Sequence, residues 1–245
     1  MSNYNSLPRC PVSVRQAEYS MLLSADDEPT QPSEYLLDLA VKFINVAREI
    51  ELSDLVSRMS TAPYYPTIWP GEHYRLLAAI VRVLKPKLVI EIGTASGLSA
   101  LALKKFLDKD AKLITFDIIP WTDFSDTVFR SEDFLDGNLL QQCVDLRDPA
   151  VVNYFKPTLE DAEIIFIDAA KDGVGEYLFW NNLSALNFKS PPLLIFDDIR
   201  LWNMLKFWRS ITMPKLDLTS FGHWSGTGIV EWRNNQDKQL FRMAT

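Results

Sequence analysis

Cysteine and histidine are almost missing from this 245-residue chain, which holds two of each: Cys10, Cys143, His73 and His223. Two thiols cannot build a disulfide framework or a cysteine-rich zinc site, and they suit a reducing compartment. Two histidines argue against a histidine-rich zinc centre. Long hydrophobic runs are lacking as well. No stretch approaches the roughly eighteen consecutive apolar residues that a membrane span requires, and the opening MSNYNSLPRCPVSV lacks the apolar segment of a signal peptide. The expectation is a cytoplasmic protein with no membrane partner. Positive charge is in deficit, 25 Lys and Arg against 32 Asp and Glu for a net charge of −7. Such a field repels phosphate backbones, so no nucleic-acid partner is expected unless basic residues gather on one face. What is present, 47% hydrophobic and 23% charged residues, is ordinary for a globular protein, and the length favours one large domain.

Residues 1–32 carry Pro8, Pro11, Pro29, Pro32 and the acidic run Asp26-Asp27-Glu28 without a sustained apolar period, and read as an arm or lid. Residues 33–245 read as a single domain, with 33–85 a helical cover and 86–233 the core. Ser33 is placed as an N-cap, after which Leu36, Leu37, Ala40, Val41, Ile44, Ala47 and Ile50 recur at helical spacing as one stripe. Pro63, Pro66 and Pro70 interrupt any helix across TAPYYPTIWPG, and Glu72 to Leu84 reads as a second helix ending before Pro86.

Beyond Pro86 short apolar runs alternate with helical stretches, the pattern of a parallel sheet covered on both faces. The runs are 88–92, 112–116, 140–144, 163–167 and 193–196; the helical patterns are 97–107, 149–155, 177–186 and 201–210. Residues 216–220 and 228–232 flank the Gly-rich turn GHWSGTG and read as an antiparallel pair closing the sheet. The prediction is an α/β fold with a doubly wound, mostly parallel seven-stranded sheet.

Ligands bind such sheets beyond the carboxyl ends of the strands. An acidic residue ends every parallel run: Glu91 with Gly93, then Asp117, Asp145, Asp168, and Asp197 with Asp198. The first turn, EIGTASGLS, has small residues where backbone must approach a ligand. It is neither a dinucleotide fingerprint, because Ala95 and Leu98 stand where glycine is needed, nor a phosphate-binding Walker loop, because no Gly-Lys-Ser/Thr follows Gly97. FIDAAK ends the fourth run with Asp168 and places Lys171 three residues later; LLIFDDI ends the fifth with Asp197 and Asp198. Three carboxylates brought together by neighbouring strands repel one another unless protons or a cation neutralise them, and Mg²⁺, which favours oxygen ligands, is the natural partner.

The pattern E-x-G-x-x-x-G after the first strand, with Asp117 after the second, resembles the class I S-adenosylmethionine-dependent methyltransferases over residues 65–233. IEIGTASGLSALAL is most similar to the small O-methyltransferases related to catechol and caffeoyl-CoA O-methyltransferases, whose loop likewise lacks the central glycine. The resemblance implies a Rossmann-like core and S-adenosylmethionine as cofactor, bound by Glu91, Gly93, Gly97, Ser99, Asp117 and Asp145. Gly93 would lie against it, Ser99 would meet the methionine carboxylate, Asp117 the two ribose hydroxyls, and Asp145 the adenine. It also implies Asp168, Asp197 and Asp198 as ligands of Mg²⁺ or another divalent metal, with Lys171 as catalytic base. Asp198 departs from the family, which has Asn there, and adds a negative charge.

The reading that follows is a metal-assisted O-methyltransferase acting on a hydroxyl of a small molecule, a vicinal diol or catechol of secondary metabolism or a sugar. Two alternatives stay open: a metal-independent O- or N-methyltransferase, and a noncatalytic protein that binds S-adenosylmethionine. Tyr64 to Trp69, the helix-spaced Trp202, Leu205 and Trp208, and Phe221 to Trp224 are expected to border the site, as an apolar wall for the substrate. His223 is read as a second base, a fourth metal ligand or an exposed turn residue. The resemblance further implies that the long N-terminal helix covers the site or builds a homodimer interface.

Overall fold

The computed structural model describes residues 30–60, 62–67, 73–201, 203–222 and 224–234. The arm 1–29 with Cys10, together with Ile68, Trp69, Trp202 and His223, lies outside the described residues.

Seven strands form one sheet in the order β3-β2-β1-β4-β5-β7-β6. They are β1 Leu88–Ile92, β2 Lys112–Asp117, β3 Leu139–Cys143, β4 Ile164–Ile167, β5 Leu193–Asp197, β6 Lys215–Asp217 and β7 Thr227–Glu231. The first five pair in parallel; β7 runs antiparallel to both β5 and β6. Successive side chains of a strand point to opposite faces, and here both faces are buried. Val89, Leu113, Ile164, Phe166, Ile195 and Ile229 enter one core layer, while Ile90, Ile114, Ile165, Leu194, Phe196 and Val230 enter the other. The expected doubly wound fold with an antiparallel C-terminal pair is the observed one.

The first layer is covered by α1 (Glu34–Ala47), α3 (His73–Leu84) and α4 (Leu98–Lys104); the second by α5 (Pro149–Leu159), α6 (Gly175–Ser184) and α7 (Met204–Ser210). A further single-turn helix, α2 (Ser53–Val56), has no counterpart in the sequence pattern. Ser33 caps α1 as expected, its hydroxyl accepting from Leu36 N at 3.1 Å and also bonding Glu231 of β7. Among the described residues no helix is long and apolar enough to cross a membrane.

Several boundaries differ from the expectation. The first helix ends at Ala47, not Ile50, because Glu49 N and Ile50 N bond carbonyls three residues back and tighten the chain into a turn that keeps Ile50 buried. Its core face is Leu36, Leu39, Ala40, Phe43 and Ala47, whereas Leu37 and Val41, assigned to the stripe, are 45% and 60% exposed. The helix expected to stop at Phe155 continues through Pro157 to Leu159, since a proline near the end of a helix forfeits one hydrogen bond and not the whole element. The helix expected from Leu201 begins at Met204 after a turn that starts at Ile199. The last two strands begin one residue earlier than read, and β6 spans three residues.

The phase of α1 is open to direct test by chemical denaturation. Phe43→Ala should lower the unfolding free energy by about 3–5 kcal/mol, and Val41→Ala should leave it within about 0.5 kcal/mol.

Candidate active site

The strand order reverses between β1 and β4, and there the loops after neighbouring strands diverge to opposite faces and open a crevice. A cavity of about 220 Å³ lies at this point, walled by Ile92 and Gly93 at the end of β1, Phe116, Asp117 and Ile118 at β2, Val144 to Arg147 after β3, and Asp168 to Ala170 after β4. Gly93 has φ +100°, and a Cβ there would stand 2.1 Å from the Asp168 carbonyl oxygen, so its bareness serves the close passage of β1 past β4 as well as the cavity.

The residues assigned to the cofactor separate into two groups. Gly93, Asp117 and Asp145 line the cavity. Asp117 holds the glycine loop, its Oδ2 accepting from Thr94 N at 2.8 Å and Ala95 N at 3.0 Å and its Oδ1 from Ile119 N at 3.1 Å. That uses three of about four acceptor sites of a carboxylate. Asp145 receives Arg147 in a two-pronged ion pair, 2.9 Å from Nε to Oδ1 and 2.7 Å from Nη2 to Oδ2, which holds the Asp145 carboxyl below its ordinary value. Glu91, Gly97 and Ser99 sit behind the loop and are absent from the cavity wall. Gly97 caps α4 at φ +86° and abuts Phe129, whose ring a Cβ would meet at 2.4 Å. Glu91 is fully buried on the α4 side of β1 and accepts from Ser99 Oγ at 2.6 Å. Burial first, opposed by the Ser99 and Thr115 hydroxyls, pushes its carboxyl up to about 8.

Beside the cavity the ends of β4 and β5 bring Asp168, Asp197 and Asp198 together, one oxygen of each within 4.8 Å of the others. Lys171 is inserted among them. Its Nζ is 2.5 Å from Asp168 Oδ1 and 3.7 Å from Asp197 Oδ2, and it also bonds Asp198 Oδ2. Burial disfavours the ammonium, but the three carboxylates together outweigh that and hold Lys171 above its ordinary value. Asp168 is pushed up, by burial and by its acidic neighbours against the pull of Lys171. The backbone is strained to achieve this. Ala170, Lys171 and Asp198 adopt left-handed φ of 64°, 67° and 56° without being glycine.

Three residues at this site were not singled out by sequence reasoning. Glu176, buried in the first turn of α6, accepts Lys171 N with one oxygen and Gly173 N at 2.9 Å with the other, and so fixes the loop that carries the lysine. An acid in the first turn of a helix, five residues past a site lysine, was the available signal. Tyr74 faces the carboxylates, and burial followed by their charge raises its phenol well above the ordinary value. His73 opens α3, within the helix expected from Glu72 to Leu84, and approaches Asp197 at 3.7 Å. Leu205 and Trp208, expected to border the site, are instead buried, Trp208 in the core layer on the α7 side of the sheet. Phe221 and Trp224 are exposed, on a turn that lies against the segment after Asp198: a Cβ on Gly226 would come within 2.7 Å of Ile199 and 2.9 Å of Arg200 N.

The profile of the O-methyltransferase family matches residues 44–205, two-thirds of the chain, and spans both the glycine loop and the acidic cluster. The chain belongs to that family. Among solved structures, a Corynebacterium glutamicum protein is 14% identical and shares the fold, with a TM-score of 0.54 over 82% of this chain and 98% of that one. A methyltransferase of Podospora anserina, PaMTH1, solved with bound SAH, is 17% identical over 86% of this chain and 92% of its own, with a TM-score of 0.49. TomG of Streptomyces achromogenes, an O-methyltransferase of tomaymycin synthesis solved with SAM, is 18% identical over 84% and 92%, at 0.47. No curated protein matches the chain. The resemblance to the O-methyltransferases drawn from the glycine loop is borne out by the family match, and the Rossmann-like sheet by the observed fold.

The buried acid of this O-methyltransferase makes its stability pH-dependent. The folded state keeps the Glu91 proton up to about pH 8, whereas the unfolded chain releases it near 4.5. Stability from this group is therefore present below about pH 4.5 and lost as pH rises to about 8. Glu91→Gln should remove that slope. Urea unfolding at pH 5, 6.5 and 8 should show the variant gaining on the parent by on the order of a few kcal/mol across the range.

Proposed function

We propose that this protein transfers a methyl group from S-adenosylmethionine to a hydroxyl of a small molecule carrying two adjacent hydroxyls, of the catechol or vicinal-diol class, with the help of a divalent cation such as Mg²⁺. The observation that carries the reading is the junction of two features at one sheet edge. The cavity walled by Gly93, Asp117 and Asp145 shares Asp168 and its loop with the cluster of Asp168, Asp197, Asp198 and Lys171.

Both groups fit the residues present. The cavity offers bare backbone at Gly93, a carboxylate with remaining acceptor capacity at Asp117 and apolar surface at Ile92, Phe116 and Ile118, a combination suited to a nucleoside. The acidic cluster supplies hard oxygen donors, and its three carboxylates and one ammonium leave two negative charges that a dication would balance. When bound, S-adenosylmethionine brings an already electrophilic methyl group and the dication makes a nearby hydroxyl more acidic.

The chain's own part is alignment and proton handling. Glu176 and the left-handed backbone at Ala170 and Lys171 hold the Lys171 side chain in the space between Asp168 and Asp198. The ammonium those carboxylates favour takes no proton, and Lys171 would serve as the base as the neutral amine, once their charge is offset by a dication in its place. The turn of Phe221 and Trp224 supplies exposed aromatic surface beside the end of β5, suited to a planar acceptor. A metal-independent methyltransferase is the second reading, favoured by the same Lys171 contacts, because an ammonium already offsets part of the cluster's charge.

Chelation decides between them. In an assay with a catechol acceptor, EDTA should abolish turnover and excess Mg²⁺ should restore it; full activity in chelator would leave only the second reading. Lys171→Ala should reduce kcat by on the order of 100- to 10,000-fold while leaving the affinity for S-adenosylhomocysteine, measured by calorimetry, unchanged.

A further inference from the structure

Asp197 differs from its two acidic neighbours in being buried, 6% exposed, and in facing two partners from opposite sides. Its Oδ2 looks toward Lys171 Nζ at 3.7 Å, into the cluster, and its Oδ1 looks away, toward His73 Nδ1 at 3.7 Å. The alternation of β5 explains the second contact. Leu193 and Ile195 belong to the core layer beneath α1, α3 and α4, so Asp197, two residues further, points to the face on which α3 lies. His73 is the first residue of that helix.

The imidazole itself has little freedom. It is 3% exposed, with Tyr74 edge-on at 4.8 Å between ring centres and Phe166 of β4 tilted at 6.0 Å. Its Nδ1 shares a hydrogen bond of 3.0 Å with Thr227 Oγ1. Thr227 is the residue of β7 directly opposite Asp197 in the antiparallel ladder, so the two side chains stand on one face. Gly222 closes over the hydroxyl, since a Cβ there would come 2.1 Å from Thr227 Oγ1. Facing a carboxylate oxygen, Nδ1 is more stable bearing its proton than presenting a lone pair.

We infer that His73, hydrogen-bonded to Thr227, is a positioning residue for the acidic cluster: the polar Nδ1 edge of its buried ring, 3.7 Å from Asp197 Oδ1 and in electrostatic contact rather than hydrogen-bonded to it, keeps that oxygen turned away from the cluster and Oδ2 presented for a divalent ion. The inference rests on the metal reading above and assigns the histidine no direct contact with metal or substrate. Groups that orient a ligating carboxylate change metal affinity by roughly 10- to 100-fold when removed.

The test uses Mn²⁺ alone, with the full chain and no acceptor, reading free Mn²⁺ by electron paramagnetic resonance. His73→Ala should weaken binding by roughly 10-fold or more, with the affinity for S-adenosylhomocysteine unchanged and any fall of melting temperature in EDTA shared with His73→Asn. His73→Asn, whose amide N–H can occupy the place of Nδ1–H, should keep near-parental Mn²⁺ affinity, whereas His73→Gln, whose amide lies one bond further out, should behave like Ala. Unchanged Mn²⁺ affinity in His73→Ala overturns the inference. So does an equal loss in Asn, Gln and Ala, or a loss of Mn²⁺ matched by loss of S-adenosylhomocysteine and of thermal stability. If the parent protein binds no Mn²⁺, the metal reading fails and the inference falls with it, an outcome distinct from a variant that binds as the parent does.

Discussion

Repulsion among three carboxylates is the constraint around which this end of the molecule is arranged. Asp168, Asp197 and Asp198 are forced together because β4 and β5 are adjacent parallel strands that end at the same level. In a partly desolvated position such a group is tolerable only with compensating charge. The chain supplies one cation of its own, Lys171, and spends backbone strain to put it there. Glu176 in turn holds the strained loop by two backbone N–H groups. Removing any of these would leave charge or polar surface unsatisfied, so they form a unit.

The sheet divides labour between its faces and its edge. Core residues alternate between two layers, and the same alternation continues past the last apolar residue into the site. Glu91 and Thr115 follow the parity of Val89 and Leu113 and disappear toward α4; Gly93 and Asp117 share that parity but stand at or beyond the strand ends, where with Asp145 they border the open crevice. Asp197 follows Leu193 and Ile195 toward α3. A side chain's chemical role is thus fixed partly by the face its parity selects and partly by whether it lies within the strand or at its end.

The fold was legible because apolar runs of four or five residues, separated by helical spacing, leave little choice but a parallel sheet with both faces covered. The acidic strand ends and Lys171 were legible for the same reason: once the strands are placed, their carboxyl ends are placed too. The phase of α1 was not, because Leu37 and Val41 satisfy helical spacing as well as Leu39 and Phe43 do, and only packing selects between two overlapping stripes. Trp208 shows the related failure, for an aromatic at helical spacing reads equally as wall or core, and here it is core. His73 and Tyr74 escaped notice because their importance arises from contacts between segments distant in sequence, His73 with Thr227 being 154 residues apart, whereas Glu176, three and five residues from the backbone N–H groups it accepts, looks like any acid in the first turn of a helix.

The left-handed conformations of Ala170, Lys171 and Asp198 have an evolutionary corollary. Each costs of order 1–3 kcal/mol relative to a relaxed backbone, a sizeable fraction of the margin that keeps a domain folded. Glycine at Ala170, or asparagine at Asp198, would ease that tension at the expense of loop rigidity or of cluster charge. Adaptation to heat would therefore favour changes that relax this edge of the sheet first.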